Sequence, residues 1–137
     1  MVWKKLNNGK DFNLDNKNLT ELQYIPEPVE ILNCGNNKLK ETPKLPKGLV
    51  VLWCSNNYLK ELPELPKGLE KLDCSNNDLL KLPELPEGLN ELGCYSNKLK
   101  KLPEIPKKLN YFNCSYNNLK ELPRLPKGLE ILNCYYN

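Results

Sequence analysis

The chain of 137 residues contains no histidine. Histidine is the commonest general base and the side chain whose ordinary pKa lies nearest neutrality, so its absence removes the most frequent route to acid–base catalysis. The sequence also has neither a phosphate-binding glycine loop nor a zinc-binding helix motif. We therefore predict that the chain is not an enzyme and needs no cofactor and no metal ion.

Long apolar runs are missing as well. The longest one, around Leu49 to Cys54, is far shorter than the roughly 20 residues that a membrane-spanning helix needs. The first residues, Met1 to Lys5, lead into polar residues and not into the apolar stretch of a secretion signal. We therefore expect a cytoplasmic protein, or one delivered into a host cytosol, without a membrane span.

No strong excess of either charge is present, because 20 basic residues balance 17 acidic ones and leave a net charge of +3. A balance this even gives no indication of a specific nucleic-acid partner. The chain is rich instead in two residue types with structural consequences, 12 prolines and six cysteines.

An internal repeat of 20 residues organises the sequence, and such repeats indicate that the fold is built from stacked units. The units align without a gap from Val29 onward and form five full repeats and a partial sixth that ends at Asn137. Residues 1–28 then form an N-terminal cap with a degenerate repeat, and residues 29–137 form the repeat domain.

Four columns of the repeat hardly vary. The first two are Leu32, Leu52, Leu72, Leu92, Phe112 and Leu132, and Cys34, Cys54, Cys74, Cys94, Cys114 and Cys134. The next two are Asn37, Asn57, Asn77, Asn97, Asn117 and Asn137, and Leu39, Leu59, Leu79, Leu99 and Leu119. The spacing of two between the first columns predicts a short strand with both side chains inward. We expect parallel pairing of successive strands, and buried asparagines that form a hydrogen-bonded ladder with turn backbone.

The second half of each repeat reads L-P-x-L-P, as in Leu62 to Pro66. Each proline fixes its own φ and holds the residue before it in extended geometry, so this half of the unit is not a helix. We expect an extended or polyproline-like segment. The unit ends with glycine in most repeats, but Pro28 and Lys108 also occur there, which indicates that the position does not require positive φ.

The six cysteines do not have the C-x-x-C spacing of a metal site. They recur every 20 residues, so in a stacked fold they form a straight file in the core. Neighbouring Cβ atoms are then about 4.8 Å apart, wider than the roughly 3.8 Å of a disulfide. We interpret cysteine here as a small apolar core residue, and not as a metal ligand or a disulfide partner.

The columns together spell L-x-x-L-x-C-x-x-N-x-L, the signature of leucine-rich repeats. With its L-P-x-L-P half, the chain resembles the bacterial type of leucine-rich repeat, found in type III secreted effectors and in giant-virus repeat proteins, from Phe12 onward. The resemblance implies a leucine-rich-repeat solenoid, with short parallel β-strands on the concave face and extended or polyproline-like segments on the convex face. The resemblance is specific for the fold and says little about function, because the fold hosts many different partners.

The concave face is the candidate binding surface. Its outward columns, among them those that begin at Gly35 and Asn36, vary between repeats and contain most of the aromatic residues. Tryptophan and tyrosine are favoured in interfaces because they bury a large area at little entropic cost. Outward aromatics also pack against one another across strands, which is the alternative explanation. The candidate partner-binding residues are Ile31, Val51, Trp53, Lys71, Asp73, Glu91, Tyr95, Tyr111, Tyr116, Tyr135 and Tyr136.

The two ends of the solenoid differ. At the N-terminus we expect Trp3, Leu6, Phe12 and Leu14 to cover the first strand, whereas no comparable cap is visible from Leu129 to Asn137. Either more chain follows or another molecule covers this end, and an open edge can pair end to end with a second copy. The alternative function is therefore a scaffolding component of a larger assembly.

Overall fold

The structure is a solenoid in which each turn contributes one short strand to a single sheet. The computed structural model describes residues 5–6 and 9–137. Its strands are β1 (Lys5–Leu6), β2 (Asp11–Asn13), β3 (Ile31–Asn33), β4 (Val51–Trp53), β5 (Lys71–Asp73), β6 (Glu91–Gly93), β7 (Tyr111–Asn113) and β8 (Ile131–Asn133). They lie in chain order across the sheet. All neighbours from β2 to β8 pair in parallel, and β1 pairs with β2 antiparallel.

The strand register follows the repeat, because Leu32 stands opposite Leu52 and Leu52 opposite Leu72. The predicted fold class is thus confirmed. The degenerate unit adds a strand that the six regular repeats do not account for: Phe12 pairs with Leu32. Phe12 and Leu14 are buried core residues of this first turn, so they belong to the stack and do not cover it from outside. Trp3 and the side chain of Leu6 lie outside the described residues.

One continuous core runs through the solenoid. The inward leucines and the cysteines from Cys34 to Cys114 are buried in a single cluster that extends from Phe12 to Leu119. A fully buried leucine contributes roughly 1.5–3 kcal/mol relative to an exposed one. Because each strand from β2 to β8 has only three residues, no turn buries enough surface alone, and the turns depend on their neighbours for stability.

The buried asparagines form the predicted ladder. The Asn77 Nδ2 donates to the carbonyl oxygens of Cys54, Cys74 and Ser75 at 3.1, 3.0 and 3.2 Å. Its Oδ1 accepts a hydrogen bond from the backbone N–H of Leu59 at 3.0 Å. Two of these four partners belong to the preceding turn, so each asparagine joins two turns of backbone. The same pattern recurs at Asn37, Asn57, Asn97, Asn117 and Asn137.

The convex segments are extended, as the prolines predict, and residues 5–6 and 9–137 contain no helix. A turn returns the chain to the sheet, with the Leu69 N–H donating to the Pro66 carbonyl at 3.0 Å. Gly68 within this turn does not have positive φ, which confirms that the glycine column has no such requirement. The described part of the chain therefore has no helix with the length and apolar character needed to cross a membrane.

Replacing Asn77 by leucine removes all four hydrogen bonds of one ladder asparagine. A single buried backbone group left without a partner costs about 1–3 kcal/mol, so we expect Asn77→Leu to lower the free energy of unfolding by roughly that amount or more. Urea denaturation followed by circular dichroism measures the change. The exposed Asn118 supplies the matched control, because Asn118→Leu makes the same exchange at the surface. Equal stabilities for the two variants would contradict the ladder.

Candidate functional site

Two rows of side chains lie on the concave side of the central strands, the side that faces away from the core. Val51, Lys71, Glu91 and Tyr111 are in register across β4 to β7. Trp53, Asp73, Gly93 and Asn113 form the second row, two residues further along each strand. Residues two apart on a strand share a face, so the rows lie side by side on the concave surface.

A concavity of about 200 Å³ lies where these rows cross β5 and β6. It brings together six of the predicted site residues, and the structure adds Leu72, Ser75 and Gly93. Its lining consists of Trp53, Lys71, Leu72, Asp73, Ser75, Glu91, Gly93, Tyr95 and Tyr111. Three aromatic rings and three charged side chains thus surround one small space, which we call the central pocket.

Gly93 creates the floor of the central pocket. A Cβ atom at this position would lie 2.9 Å from the Asp73 Oδ1 and 3.2 Å from the Ser75 Oγ. Glycine is therefore the residue that fits beside the existing side chains without displacing them. Sequence reasoning did not select Gly93, although it stands alone as glycine in a row that otherwise has asparagine, aspartate or tryptophan.

Two of the charges in the central pocket neutralise each other. The Lys71 Nζ lies 2.6 Å from the Glu91 Oε1, and both side chains are partly exposed. Asp73 holds the backbone turn after β5, because its Oδ1 accepts a hydrogen bond from the Ser75 N–H at 3.1 Å. Asn33 and Asn113 hold the equivalent turns in the same way. A neutral asparagine is therefore sufficient to stabilise the turn, and the turn does not require the negative charge of Asp73.

A second group of candidate residues forms a cluster of tyrosines nearer the C-terminal end. The rings of Tyr116 and Tyr136 are stacked with centroids 4.7 Å apart. Tyr135 packs edge-on against both rings, at 6.0 Å from Tyr116 and 5.8 Å from Tyr136. All three side chains are exposed, so they offer a contiguous aromatic surface, which we call the tyrosine cluster.

The backbone at this cluster is left-handed. Tyr116 and Tyr136 have φ values of 54° and 57°, close to the 52° of Asn36 and Asn76 in the same column. Asparagine tolerates this region, whereas for a bulky residue it is an outlier with a cost of roughly 1–2 kcal/mol. The column that begins at Asn36 was expected only to face outward. The structure shows that its residues must also adopt a left-handed backbone conformation.

The other candidate positions are less accessible. Ile31 is partly buried, and Val51 is only 9% exposed, so Val51 presents little surface to a partner. The outward orientation expected for the column beginning at Gly35 is wrong for Gly35, Ser75 and Ser115, which are buried. The chain turns inward immediately after each strand, and only small residues fit there; Tyr95 and Tyr135 depart from this rule and reach the surface.

The cysteines are free, and those from Cys34 to Cys114 are buried, as predicted for core residues, while Cys134 is partly exposed. Burial raises the pKa of the Cys34 thiol to about 12 and that of Cys114 to about 11. Burial, followed by the negative charge of neighbouring groups, raises the pKa of Cys54, Cys74 and Cys94 well above its ordinary value. These thiols are held protonated and are poor nucleophiles. Within the described residues, no group of acidic or cysteine side chains is arranged to hold a metal ion.

A larger depression of about 860 Å³ lies among the convex segments. Glu84, Glu87 and Glu104 line it together with Lys107 and Lys108, and all five are exposed or nearly so at the rim of the solenoid. Solvated charges of both signs without an aromatic ring are typical of a solubilising flank. The concave face is therefore the stronger candidate site.

Parallel strands on one face, extended proline-rich segments on the other and a buried asparagine ladder define the class of leucine-rich-repeat solenoids. A leucine-rich-repeat domain of a Shigella effector is similar, with 36% sequence identity and a TM-score of 0.84 over 86% of this chain. The effector YopM from Yersinia enterocolitica shares 35% identity and a TM-score of 0.77 over 84% of the chain. YopM from Yersinia pestis, a leucine-rich effector protein, shares 32% identity and a TM-score of 0.70 over 86% of the chain.

The chain is thus a leucine-rich-repeat solenoid, with 20-residue repeats like those of the Yersinia and Shigella effectors. It spans 54% of the length of the Shigella domain and 30% and 39% of the two YopM chains. No protein-family model matches the chain, and neither does any curated protein sequence.

The raised thiol pKa values predict that the protein loses stability at alkaline pH. As the pH rises above the ordinary thiol value of 9.0, the unfolded chain releases protons that the folded chain retains. The stabilisation is fully present below pH 9.0 and is lost towards the folded values of about 11 and about 12. Each thiol contributes a slope of up to about 1.4 kcal/mol per pH unit in this window.

Urea denaturation at a series of pH values across this window measures the loss. The double variant Cys34→Ala/Cys114→Ala is expected to lose less stability with pH than the unchanged chain, because two linked thiols are gone. Cys134→Ala, at the partly exposed position, is the matched control. Identical pH slopes in the unchanged chain and the double variant would contradict the role of the buried thiols.

Proposed function

We propose that the chain is a protein-recognition module that binds a protein partner on its concave face. The observation that carries the proposal is the central pocket, in which Trp53, Tyr95 and Tyr111 surround a floor opened by Gly93. Concave sites with aromatic walls and a few placed polar groups are typical of binding surfaces. A face of seven parallel strands is also long enough for an interface of about 800 Å² per partner.

The exposed aromatic side chains of this face stand at positions where the fold does not require an aromatic residue. Trp53 is 42% exposed. The equivalent position in β3, β5, β7 and β8 is asparagine or aspartate, and these two residue types stabilise the turn that follows the strand. Tyr116 and Tyr136 occupy left-handed positions that asparagine fills more easily. Residues that are unfavourable for folding and exposed on a concave surface support a role in binding.

Catalysis is not part of the proposed function. Burial raises the pKa of the thiols from Cys34 to Cys114, which is the direction that suppresses their reactivity. Buried free thiols also fit a reducing compartment, where disulfides are rare. We therefore propose that the chain acts in a cytosol, and its similarity to effector domains favours the cytosol of a host cell into which it is delivered.

The variant Trp53→Ala/Tyr95→Ala/Tyr116→Ala tests the concave site. We expect it to fold with unchanged circular dichroism and to lose partners that the unchanged chain captures from cytosolic extract. The control is Tyr24→Ala/Tyr58→Ala, which removes two exposed tyrosines outside the central pocket and the tyrosine cluster. A photo-cross-linking residue at position 95, with position 24 as its control, identifies the protein in contact. Full capture by the triple variant would refute the proposal.

A single substitution separates stability from binding at the tyrosine cluster. Tyr116→Asn relieves the left-handed strain of roughly 1–2 kcal/mol but removes a ring stack worth about 0.5–1.5 kcal/mol. We expect the free energy of unfolding to change by less than about 1 kcal/mol, while partner capture weakens. Urea denaturation and capture are measured on the same sample. A clear loss of stability together with full capture would show that Tyr116 serves the fold alone.

End-to-end association is a second candidate function, favoured by the exposure of β8. Ile131 is 49% exposed and Leu132 is 36% exposed, whereas Leu32 and Leu92 in the same column as Leu132 are fully buried. An exposed apolar strand edge pairs readily with another strand. We propose that the segment Leu129–Asn137 of this chain meets a second copy in a scaffolding assembly.

Light scattering over a range of protein concentrations tests the assembly. We expect the mass to rise with concentration for the unchanged chain and to remain that of a monomer for Leu132→Lys, which places a charge on the open edge. Glu130→Lys, at an exposed position beside β8, controls for added charge alone. A monomer at every concentration for the unchanged chain would exclude end-to-end association.

A further inference from the structure

Asp73 carries a negative charge that no cation of the described chain neutralises. The ion pairs among the described residues join Lys10 to Glu30, Lys71 to Glu91 and Lys98 to Asp78. Lys71, which lies two residues before Asp73 on the same strand, is thus already paired with Glu91 at 2.6 Å. In the described residues, the Oδ1 of Asp73 has one hydrogen bond, from the Ser75 N–H, and the Oδ2 has none.

This carboxylate lies among the aromatic rings of the central pocket. Trp53 stands directly beside Asp73 on the neighbouring strand, at the strand spacing of about 4.8 Å. Tyr95 and Tyr111 form the opposite wall, beyond the gap at Gly93. The Asn76 Nδ2 donates to the Tyr95 hydroxyl at 3.0 Å, which holds that ring in place. The pocket therefore combines one free anion with ring faces, and both attract cations.

The floor of the pocket is polar and closely packed. The Ser75 Oγ is buried and has no hydrogen-bond partner in the described structure. Because this oxygen is not accessible to solvent, it does not itself meet a guest. The space above it, about 200 Å³, equals the volume of roughly six or seven water molecules at about 30 Å³ each. A single side chain fits such a space, and a helix or a nucleotide does not.

We propose that the central pocket receives the cationic end of one arginine or lysine side chain from the protein partner, held by the Asp73 carboxylate and the rings of Trp53, Tyr95 and Tyr111. This proposal deepens the proposed function and rests on the concave face being the binding surface. The guest's N–H groups donate to the free Asp73 Oδ2, and its charge lies against the ring faces. Lys71 remains paired with Glu91 and forms a neutral side of the pocket.

Short Gly/Ser peptides with one central Arg, Lys, Gln or Glu are the probes. Binding is followed by nuclear magnetic resonance on the indole N–H of Trp53 and the backbone N–H of Gly93. The chain has two tryptophans, and a Trp53→Phe variant assigns the indole signal. We expect saturable shifts with the Arg and Lys peptides and none with the Gln and Glu peptides. The ratio of the Arg and Lys affinities shows which cation the pocket prefers.

The variant Asp73→Asn keeps the oxygen that accepts from Ser75 N–H and removes only the charge. We expect it to weaken binding of the preferred peptide by about tenfold or more. Asp78→Asn is the matched control, because it removes the same charge in the same repeat from a residue that pairs with Lys98. Gly93→Ala, which places a methyl group on the pocket floor, is expected to abolish binding while leaving the fold intact by circular dichroism.

Three results would overturn the proposal: equal shifts with the Gln peptide, no loss of affinity in Asp73→Asn, or an equal loss in Asp78→Asn. The outcome is separable from that of the proposed function. If the aromatic triple variant loses the partner and Asp73→Asn retains it at full affinity, the concave face binds protein but the cation pocket is wrong. If cationic peptides bind the pocket while the triple variant still captures the partner, the pocket stands and the concave interface does not.

Discussion

The hydrogen bonds of the buried asparagines are the constraint on which the rest of the structure depends. Each side chain spans two turns, as when Asn57 accepts from the Leu39 N–H and donates to the Cys34 carbonyl of the turn before it. These bonds fix the spacing of the cysteine, asparagine and leucine columns within each unit, because a shifted asparagine would not reach both partners. The first turn differs in this column: Lys17 stands there in place of asparagine, and β1 pairs with β2 antiparallel and not in the parallel stack.

Because leucine, cysteine and asparagine build the stack, the residues that we propose for binding stand at positions where one repeat differs from the next. Gly93 is such a difference, and it opens a space only because Asp73 and Trp53 precede it in the same row. Asp73 is another, since asparagine at Asn33 and Asn113 supports the same turn without a charge. The regular repeat supplies a rigid frame, and in the function that we propose a few residue differences on one face supply the binding chemistry.

The sequence alone predicted the fold class, the strand register and the burial of the cysteines, because a repeat without gaps places equivalent residues in register in every turn. It also predicted which face carries Trp53 and Tyr111. It did not predict the central pocket. That pocket depends on the missing side chain at Gly93 and on the ion pair between Lys71 and Glu91. The columns of the repeat do not encode the geometry of an ion pair. The left-handed column was not recognised either, although asparagine at Asn36, Asn56 and Asn76 is typical of that conformation.

The left-handed column also contains residues that are unfavourable for its backbone conformation. Its φ values stay between 52° and 57° from Asn36 to Tyr136, so the backbone is the same whether the residue is asparagine, serine or tyrosine. The strain of an unfavourable residue is therefore not relieved by local rearrangement and remains in the folded state. Tyr116 and Tyr136 recover part of it through their ring stack. That compensation depends on two tyrosines in consecutive turns, which explains why the tyrosine cluster occurs as a group and not as isolated rings along the face.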